Sequence, residues 1–292
     1  MTKCKVSIAL ATYNGAKYLQ DQLDSIINQT LKPDEVIVSD DSSTDATLDI
    51  LNKYQAKGLI KYFVNPGSGV IANFKNAVLN CKTGNYIALA DQDDIWVADK
   101  LEINHAALSK IDNESLPSVV FSDLLVVSAG NNVINKSFFK EIVKVDPINE
   151  KLESLMFSNK VIGCTTMFNQ RMRQYFDEMP TGICMHDYWI ALIGFTFGRH
   201  YYVAQPLVRY RRHSSNVTDA SSSVWRKTKK ELTDYLLNRR IQLDEHIDTV
   251  ELFYSEYSTL LSEDERKSIK KFLRLKGSST VFKRLNSFYY TR

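Results

Sequence analysis

The segment at residues 85–101, NYIALADQDDIWVADKL, constrains what this chain can fold into more than any other. Its apolar run at residues 86–90 follows a Gly–Asn turn pair and has the length and composition of a buried strand. Three carboxylates come next within four positions: Asp91, Asp93 and Asp94. Like charges repel and carboxylates resist leaving water, so acids crowded at a strand end indicate either a bound cation or a solvated turn before the next helix. These residues alone leave both interpretations open.

A divalent cation at this strand end would have a defined chemistry. Mg²⁺ and Mn²⁺ prefer oxygen ligands, keep several waters, and are commonly held by one or two carboxylates together with substrate phosphates. The chain has no GxGxxG segment after its first predicted strand and no Walker lysine loop. The sequence therefore favours phosphates held by a metal over phosphates held by a glycine-rich loop.

The first hundred residues alternate between apolar strands and amphipathic helices. We expect strands at residues 6–11, 35–39, 60–64 and 86–90, with helices to about residue 29, to about residue 56, over residues 70–81 and over residues 99–110. Short loops and nearly all-apolar strands predict an α/β fold, in which a parallel sheet is covered by helices on both faces.

Polar side chains cluster at three of these strand ends. They are Thr12, Tyr13 and Asn14; Asp40 and Asp41; and the acids at residues 91–94. Ligands of such sheets bind beyond the carboxyl ends of the strands, so this coincidence favours a functional role for the acids. In the second cluster we expect one aspartate to cap the following helix and the other to accept a hydrogen bond from a base or a ribose.

The pattern changes after residue 110. Strands are predicted at residues 118–122, 124–128, 161–168 and 199–204, helices at 150–157, 185–195, 224–257, 263–275 and 280–290, and a basic loop at 209–216. We therefore expect a sheet domain over residues 1–220 and a C-terminal helical basic extension over residues 221–292.

Three further groups carry candidate chemistry, each with a plain structural alternative. Asp187 begins an apolar helix and could be a general base or an N-cap. His213 follows arginines that could bind phosphate, and its imidazole could ligate a metal; the alternative is a solvated basic loop. Asn73 and Lys75 could reach a phosphate or a base, although a helix surface is the expected place for Lys75.

Four segments taken together resemble the family 2 glycosyltransferases, which are inverting enzymes with the GT-A fold. They read VSIALATYNG from residue 6, VIVSDDSSTDAT from residue 36, NPGSGVIANFKNA from residue 65 and YIALADQDDIWVADKLE from residue 86. The resemblance is close over residues 6–101 and looser over residues 161–216. It implies a Rossmann-like mixed, mainly parallel sheet, with a nucleotide-sugar-binding half at residues 1–101 and an acceptor-binding half at residues 102–220.

The resemblance also implies donor-binding roles. Asp41 is expected to contact the nucleobase, with Thr12 and Tyr13 beside it, and Asp91 and Asp93 match the DxD motif. Asp93 would ligate a Mn²⁺ or Mg²⁺ ion that bridges the donor diphosphate, and Asp91 would lie near the ribose and the metal. The remaining expected donor contacts are Asn14, Asn73, Arg209 and Arg212.

On the acceptor side, Asp187 matches the catalytic base of the family. That role usually belongs to the aspartate of a Glu–Asp pair, and here His186 takes the place of the glutamate. His213 matches an additional metal or diphosphate ligand after the last strand of the sheet.

The motif variants indicate the type of transfer. Processive members carry a QxxRW motif, whereas residues 205–210 read QPLVRY, with one residue too many and Tyr for Trp, so we expect a non-processive enzyme that adds one sugar. The DQDDIW variant is similar to bacterial rhamnosyltransferases of surface-polysaccharide assembly, which implies dTDP-rhamnose as donor; UDP-hexose or UDP-N-acetylhexosamine is the alternative. Two other classes stay open, namely a sugar nucleotidyltransferase and a non-catalytic carbohydrate- or nucleotide-binding protein.

Charge and composition bound the partners and the location. The net charge of +3 does not imply nucleic acid, and four cysteines without a CxxC spacing predict reduced thiols and no cysteine zinc site. Residues 266–292 hold nine Lys or Arg and no acid, interleaved with apolar residues. This pattern predicts either an interfacial helix on an anionic membrane, where a lipid-linked saccharide acceptor would lie, or a helical cap on the sheet domain. Without an 18-residue apolar stretch, we expect a cytoplasmic protein, peripheral on the inner face of the membrane if the tail binds there.

Overall fold

The structure is a computed structural model that describes residues 5–213 and 229–278, with the backbone alone for residues 229–242. Its first four strands form the predicted parallel array in the order β3, β2, β1, β4. They are β1 (Val6–Thr12), β2 (Glu35–Asp40), β3 (Lys61–Val64) and β4 (Tyr86–Asp91). In this register Thr12 lies opposite Asp40, and Ala11 lies opposite Asp91. The polar clusters that follow these strands therefore meet at one edge of the sheet, as the sequence predicts.

Helices cover both faces of this array. They are α1 (Leu19–Ile27), α2 (Thr47–Ala56), α3 (Gly69–Asn80) and α4 (Lys100–Ile111). Alternate residues of a strand point to opposite faces, so Ile8 and Leu10 pack with α1, α2 and α4, whereas Ala9 and Ala11 pack with α3. The predicted two-sided covering of the sheet is confirmed.

The second half of the chain extends the sheet with mixed strand directions. The strands are β5 (Ile95–Trp96), β6 (Ser118–Ser128), β7 (Val133–Asn135), β8 (Met167–Phe168) and β9 (Arg199–Arg212). β8 runs antiparallel to β4 and to β6, β9 runs parallel to β6, and β5 closes the order as an antiparallel partner of β9. The two strands predicted at residues 118–122 and 124–128 are one strand whose pairing with β9 is irregular around Asp123.

Two predictions for this half are wrong. The strand predicted over residues 161–168 is limited to β8, because Gly163–Thr165 form a 3₁₀ turn instead of pairing with a neighbouring strand. The basic segment at residues 209–216 is not a loop throughout, because β9 continues to Arg212 and pairs with the end of β6. The helix α6 (Gln170–Asp177) was not expected, and its Asn169 cap accepts a hydrogen bond from the Met172 amide.

The remaining helices bring the described part of the C-terminal extension onto the sheet domain. They are α5 (Leu152–Phe157), α7 (His186–Thr196), α8 (Lys229–Tyr257) and α9 (Glu263–Leu273). Phe253 meets Trp189 with ring centroids 5.8 Å apart, and Phe272 stands edge-on to Phe157 at 4.9 Å. Phe272 and Leu275 are thus buried in the same core as α3 and α7.

This packing corrects the interfacial-helix prediction for residues 266–278. The apolar face of α9 is committed to the core, because burying it there removes it from water without a membrane. The helix predicted at residues 280–290 and the boundary predicted at residues 220 and 221 lie outside the described residues. Within the described ranges, none of the helices combines the length and the apolar character that crossing a bilayer requires.

Candidate active site

The two aspartates at the end of β2 have different hydrogen-bond partners. Asp40 is buried and accepts hydrogen bonds from the Thr12 hydroxyl at 2.7 Å, the Ser43 amide at 2.8 Å and the Ser43 hydroxyl at 2.6 Å. Asp41 is partly exposed; its carboxylate accepts from Asn65 Nδ2 at 2.8 Å and from the Gly69 amide at 2.7 Å. Asp40 therefore holds the turn, which leaves Asp41 as the carboxylate that faces the loop before α3. The expected cap of the following helix is wrong, because α2 has Ala46 at its N-cap and no side-chain cap hydrogen bond; the binding role of Asp41 stays a prediction.

The loop after β1 is fixed by a residue that the sequence did not single out, Gln92. Its amide donates to the Tyr13 carbonyl and accepts from the Tyr13 amide, both at 2.9 Å. A Cβ added at Gly15 would lie 2.0 Å from Gln92 Oε1, so a larger residue there would displace the Gln92 side chain from its hydrogen bonds with Tyr13. Asn14 adopts a positive φ of 47°, and its side chain accepts from the Thr44 amide at 2.8 Å. Gln92, the middle residue of the DxD motif, thus connects the acidic loop, residues 91–94, to the loop that follows β1. The Tyr13 ring in that second loop is exposed.

The two candidates on α3 point to different neighbours. Asn73 is buried; its Nδ2 donates to the Thr12 carbonyl at 2.9 Å, and its Oδ1 has no hydrogen-bond partner among the described residues. Lys75 Nζ donates to the Asp177 carbonyl at 2.6 Å, so it fastens α3 to the end of α6. Asn73 therefore lies at the strand end where the polar clusters meet, whereas Lys75 lies on the helix surface, as expected.

Asp93 and His213 come together although 120 positions separate them in the chain. Asp93 Oδ2 lies 2.8 Å from His213 Nε2, and both side chains keep some exposure to solvent. This separation is that of a hydrogen bond between the imidazole and the carboxylate, and both groups are of types that can ligate Mg²⁺ or Mn²⁺. The pair is the arrangement of donor atoms that best suits such an ion at this edge of the sheet.

A second group of possible metal ligands lies deeper. Oxygen atoms of Asp91 and Asp94 and the sulfur of Cys164 all lie within 4.8 Å of one another. Burial raises the pKa of the Cys164 thiol, which keeps its proton, and hard cations prefer oxygen. Burial and the charges of Asp93 and Asp187 raise the pKa of Asp91 to about 7, and burial with its acidic neighbours raises that of Asp94. Burial thus favours the protonated forms of Asp94 and Cys164, and a group that includes a thiol suits Mg²⁺ or Mn²⁺ less well than oxygen ligands alone.

A buried cation accompanies these acids. Lys100 is fully buried at the start of α4, with its Nζ 3.5 Å from the centroid of the Trp96 ring. Burial lowers the pKa of Lys100 to about 7, while the charges of Asp94 and Asp91 oppose that shift. The spacing of Lys100 on an amphipathic helix did not predict its burial beside these acids, because that burial depends on which elements pack over the side chain.

Asp187 is held by two hydrogen bonds at the start of α7. Its Oδ2 accepts from the Gly163 amide at 3.0 Å, and its Oδ1 accepts from Asn159 Nδ2 at 3.1 Å. Burial raises the pKa of Asp187 to about 6, while both hydrogen bonds oppose the shift. At neutral pH the group is therefore an ionised carboxylate with a raised basicity, and its charge reaches Asp91 at the end of β4.

His186 has a different character from the glutamate that it replaces. Its ring is buried and stacks on Phe74 with centroids 4.1 Å apart, and burial lowers its pKa to about 3. It is therefore neutral beside Asp187. A Cβ at Gly163 would lie 3.0 Å from His186 Nε2, so the small residue lets the turn approach α7 and donate to Asp187.

The arginines near His213 are largely occupied by the protein. Arg209 donates to the side-chain and main-chain oxygens of Asn131 at 2.8 and 2.9 Å. Arg211, one of the arginines that precede His213, is buried and donates to the Asp93 carbonyl at 2.9 Å. Arg212 is partly buried at the end of β9. The cluster is therefore not the solvated basic loop of the alternative interpretation.

Comparison with known proteins gives the class of this chain. Residues 7–178 match the family model described as Glycosyl transferase family 2, and the chain belongs to this family. The fold is the GT-A fold: it is similar to the crystal structure of S. aureus TarS 1-349 in complex with UDP-GlcNAc, with a TM-score of 0.57 and 17% identity over 98% of this chain and 89% of that one.

Three relatives are similar in sequence. The Uncharacterized glycosyltransferase RP339 of Rickettsia prowazekii is 30% identical over 74% of this chain and 66% of its own length. The dTDP-rhamnosyl transferase RfbG of Shigella flexneri is 27% identical over 76% of this chain and 77% of its own length. The UDP-Glc:alpha-D-GlcNAc-diphosphoundecaprenol beta-1,3-glucosyltransferase WfaP of Escherichia coli is 41% identical over 33% of this chain and 38% of its own length.

Proposed function

We propose that this family 2 glycosyltransferase is a metal-dependent, inverting and non-processive enzyme. It moves one sugar from a nucleoside diphosphate donor to a hydroxyl of a saccharide or lipid-linked saccharide in bacterial surface-polysaccharide assembly. The observation that carries the proposal is the approach of Asp93 and His213 to 2.8 Å after β4 and β9, together with the effect of the Asp187 charge on the strand-end acid Asp91. A leaving diphosphate needs positive charge nearby, whereas an attacking hydroxyl needs a base. The cation bound by Asp93 and His213 would supply the first, and Asp187 would be the second.

The donor side rests on the strand-end loops. Asp41 would accept a hydrogen bond from the nucleobase, with the exposed ring of Tyr13 beside it and Asn14 in the same loop. Asn73 would contribute from α3, where its Oδ1 has no partner among the described residues. We favour dTDP-rhamnose as the donor, which the similarity to RfbG supports. A UDP-hexose or UDP-N-acetylhexosamine is the second candidate, which the similarity to WfaP and TarS supports.

The diphosphate would be held at the end of β4 and β9. Asp93 and His213 would ligate the cation and Asp91 would lie next to it, while Arg209 and Arg212 would supply further positive charge. When bound, a divalent cation stabilises the negative charge that develops on a leaving diphosphate. The 2.8 Å spacing of the two ligand atoms supports this assignment.

Asp187 would act on the acceptor. An ionised carboxylate takes the proton from the acceptor hydroxyl as that oxygen attacks the anomeric carbon, and one displacement inverts this centre. The raised pKa of about 6 supports the role, because it makes the carboxylate a stronger base that is still ionised at neutral pH. The hydrogen bonds from Gly163 and Asn159 would hold its orientation while it takes the proton.

A donor panel tests the reaction class and the donor together. The protein is incubated with dTDP-rhamnose, UDP-glucose and UDP-N-acetylglucosamine and Mn²⁺, and the release of nucleoside diphosphate is measured. Release from one donor supports the proposal. Release of pyrophosphate from a nucleoside triphosphate and a sugar phosphate would instead make the protein a nucleotidyltransferase. Donor binding without any release, with acceptors supplied, would make it a binding protein.

Two variants test the residue roles. Asp93→Ala should abolish Mn²⁺-dependent donor binding in calorimetry, whereas Asp99→Ala, a nearby aspartate whose side chain makes no cap hydrogen bond, should leave it unchanged. Asp187→Asn should keep donor binding and lose about 10²–10⁴-fold in turnover, the usual contribution of a general base. Unchanged binding in the first variant, or undiminished turnover in the second, would contradict the assigned role.

Association with the inner face of the membrane is a separate proposal. Because Phe272 and Leu275 belong to the core, a truncation to test it must follow residue 278. The full chain should sediment with vesicles rich in anionic lipid, and the truncated chain should bind them less. Equal binding of the full chain and the truncated chain would show that the residues after 278 do not contribute to membrane association.

A further inference from the structure

Arg211 links several segments around the candidate active site. It is 3% exposed, and its guanidinium donates to three acceptors: the Asp93 carbonyl at 2.9 Å, the Ala129 carbonyl at 3.0 Å and Asp21 Oδ2 at 2.9 Å. Its plane lies over the Tyr18 ring, 4.6 Å from the centroid. The planar fork of five donors is therefore used within the protein, which distinguishes Arg211 from an arginine that binds a substrate phosphate.

The main chain of Arg211 joins the same network. Its amide donates to Asp94 Oδ1 at 3.1 Å. The acidic loop is consequently held twice by one residue, once at the Asp93 carbonyl and once at the Asp94 carboxylate. The residue two positions further along the chain is His213, whose ring lies 4.7 Å from the Tyr18 ring that Arg211 covers.

We propose that Arg211 is a positioning residue, which sets the separation between the Asp93 carboxylate and the His213 imidazole. The inference rests on the proposed function, in which this pair ligates the cation. The two ligands are 120 positions apart, on a loop after β4 and at the end of β9, so their 2.8 Å approach needs a connection between those elements. β5 pairs with β9 at Ile95–Arg209 and Trp96–Val208, and Arg211 extends this connection to the acidic loop itself, because it is bonded to that loop and lies two residues before His213.

The shape of the guanidinium matters to this role as well as its charge. A lysine would keep the positive charge near Asp21 and Asp93 but would replace the three-directional fork by a single nitrogen. It could not reach the Asp93 and Ala129 carbonyls and Asp21 in their present directions. Arg211→Lys therefore separates positioning from simple charge neutralisation.

A matched control exists elsewhere in the fold. Arg173 on α6 donates through Nε to the Val78 carbonyl at 3.3 Å and through a terminal nitrogen to the Leu79 carbonyl at 2.6 Å. Arg173→Lys thus removes the same kind of guanidinium-to-carbonyl bonds at a helix contact outside the candidate site. It reports what such a loss does to stability alone.

The test measures the binding of Mn²⁺ and of UDP or dTDP to each variant by calorimetry, along with thermal unfolding. Arg211→Lys should weaken Mn²⁺ binding in the presence of the nucleotide by about 10-fold or more, the usual cost of losing a group that orients a metal ligand. It should leave binding of the nucleotide in the presence of a chelator within about 2-fold. Arg173→Lys should lower the unfolding temperature without changing Mn²⁺ binding.

Three results would overturn the inference. One is a folded Arg211→Lys variant that binds Mn²⁺ as the parent does. Another is a loss of Mn²⁺ binding in Arg173→Lys equal to that in Arg211→Lys, which would make the effect one of stability. The third result applies if Arg211→Lys does not fold. In that case Asp21→Ala is measured, because the Asp21 side chain is 58% exposed and accepts a hydrogen bond from one side of the guanidinium. Unchanged Mn²⁺ binding in Asp21→Ala would then overturn the inference. A parent protein that binds no Mn²⁺ would refute the proposed metal site itself, which is a distinguishable outcome.

Discussion

The pH dependence of turnover gives the sharpest test of Asp187. With a pKa of about 6, the carboxylate is about 90% ionised at pH 7 and about 10% ionised at pH 5, so kcat should fall about 9-fold between them. The sign follows from the role: a base works in its deprotonated form, so activity is present above the pKa and is lost as the pH falls through it. The measurement is nucleoside diphosphate release at saturating donor, acceptor and Mn²⁺ from pH 5 to pH 9.

Asn159→Ala should shift this acid limb to higher pH. The Asn159 amide donates to Asp187 Oδ1 at 3.1 Å and so favours the charged form. A hydrogen bond to a charged group contributes about 1.5–3 kcal/mol, and one pKa unit corresponds to about 1.4 kcal/mol, so at the lower end of this range its loss should raise the pKa by about one unit. At pH 6 kcat should fall about 5-fold relative to the parent, whereas above about pH 8.5 the two should differ little.

The expected agreement of the two kcat values at high pH distinguishes a shift in the pKa of Asp187 from structural damage. Asn159 also accepts a hydrogen bond from the Val161 amide at 2.9 Å, and disturbance of that turn would lower kcat equally at every pH. Asn80→Ala, which removes an asparagine whose hydrogen bonds in the described part of the chain lie within α3, is the matched control and should leave the profile unchanged. A parent enzyme with constant kcat down to pH 5, or an Asn159→Ala limb that does not move, would refute the reasoning.

Two further predictions concern stability, measured by urea unfolding. Gly15→Ala should destabilise the fold by about 1–3 kcal/mol, because the new methyl group would meet Gln92 Oε1 at 2.0 Å, and adding Gln92→Ala should recover part of that loss. Phe272→Ala should cost about 3–5 kcal/mol, because it opens a cavity in the core shared with Phe157, whereas Lys267→Ala on the exposed face of α9 should stay within about 0.5 kcal/mol. A mild effect of Phe272→Ala would mean that α9 is not part of that core.

Much of the fold could be predicted because its signals are local. The four parallel strands and the helices between them lie within a few residues of their predicted bounds, since apolar periodicity and turn residues act over short stretches of chain. Predictions failed where hydrogen bonding overrode composition. Gly163–Thr165 form a 3₁₀ turn in which the Gly163 amide donates to Asp187, and the arginine-rich residues 209–212 form a strand paired with β6. Neither the turn nor the pairing can be read from the residues themselves.

The candidate site divides in the same way. Asp41, Asp91, Asp93 and Asp187 could be named from their positions after strands or at a helix start, together with the family resemblance. The groups that set their properties could not. Gln92, Arg211 and Asn159 reach their partners across 79, 118 and 28 positions of the chain, and nothing in their spacing indicates those contacts.

The sequence by itself determined the order of the elements and the carboxylates that end them, because apolar pattern, turn chemistry and acid clustering are properties of neighbouring residues. Only the tertiary structure decided that Asp93 meets His213, that Asp187 acquires a raised pKa, and that the buried Arg211 donates to the Asp93 carbonyl. The physical reason is that burial and hydrogen-bond partners depend on which distant elements pack together. A side chain's type fixes what it can bind, but its surroundings fix what it does bind.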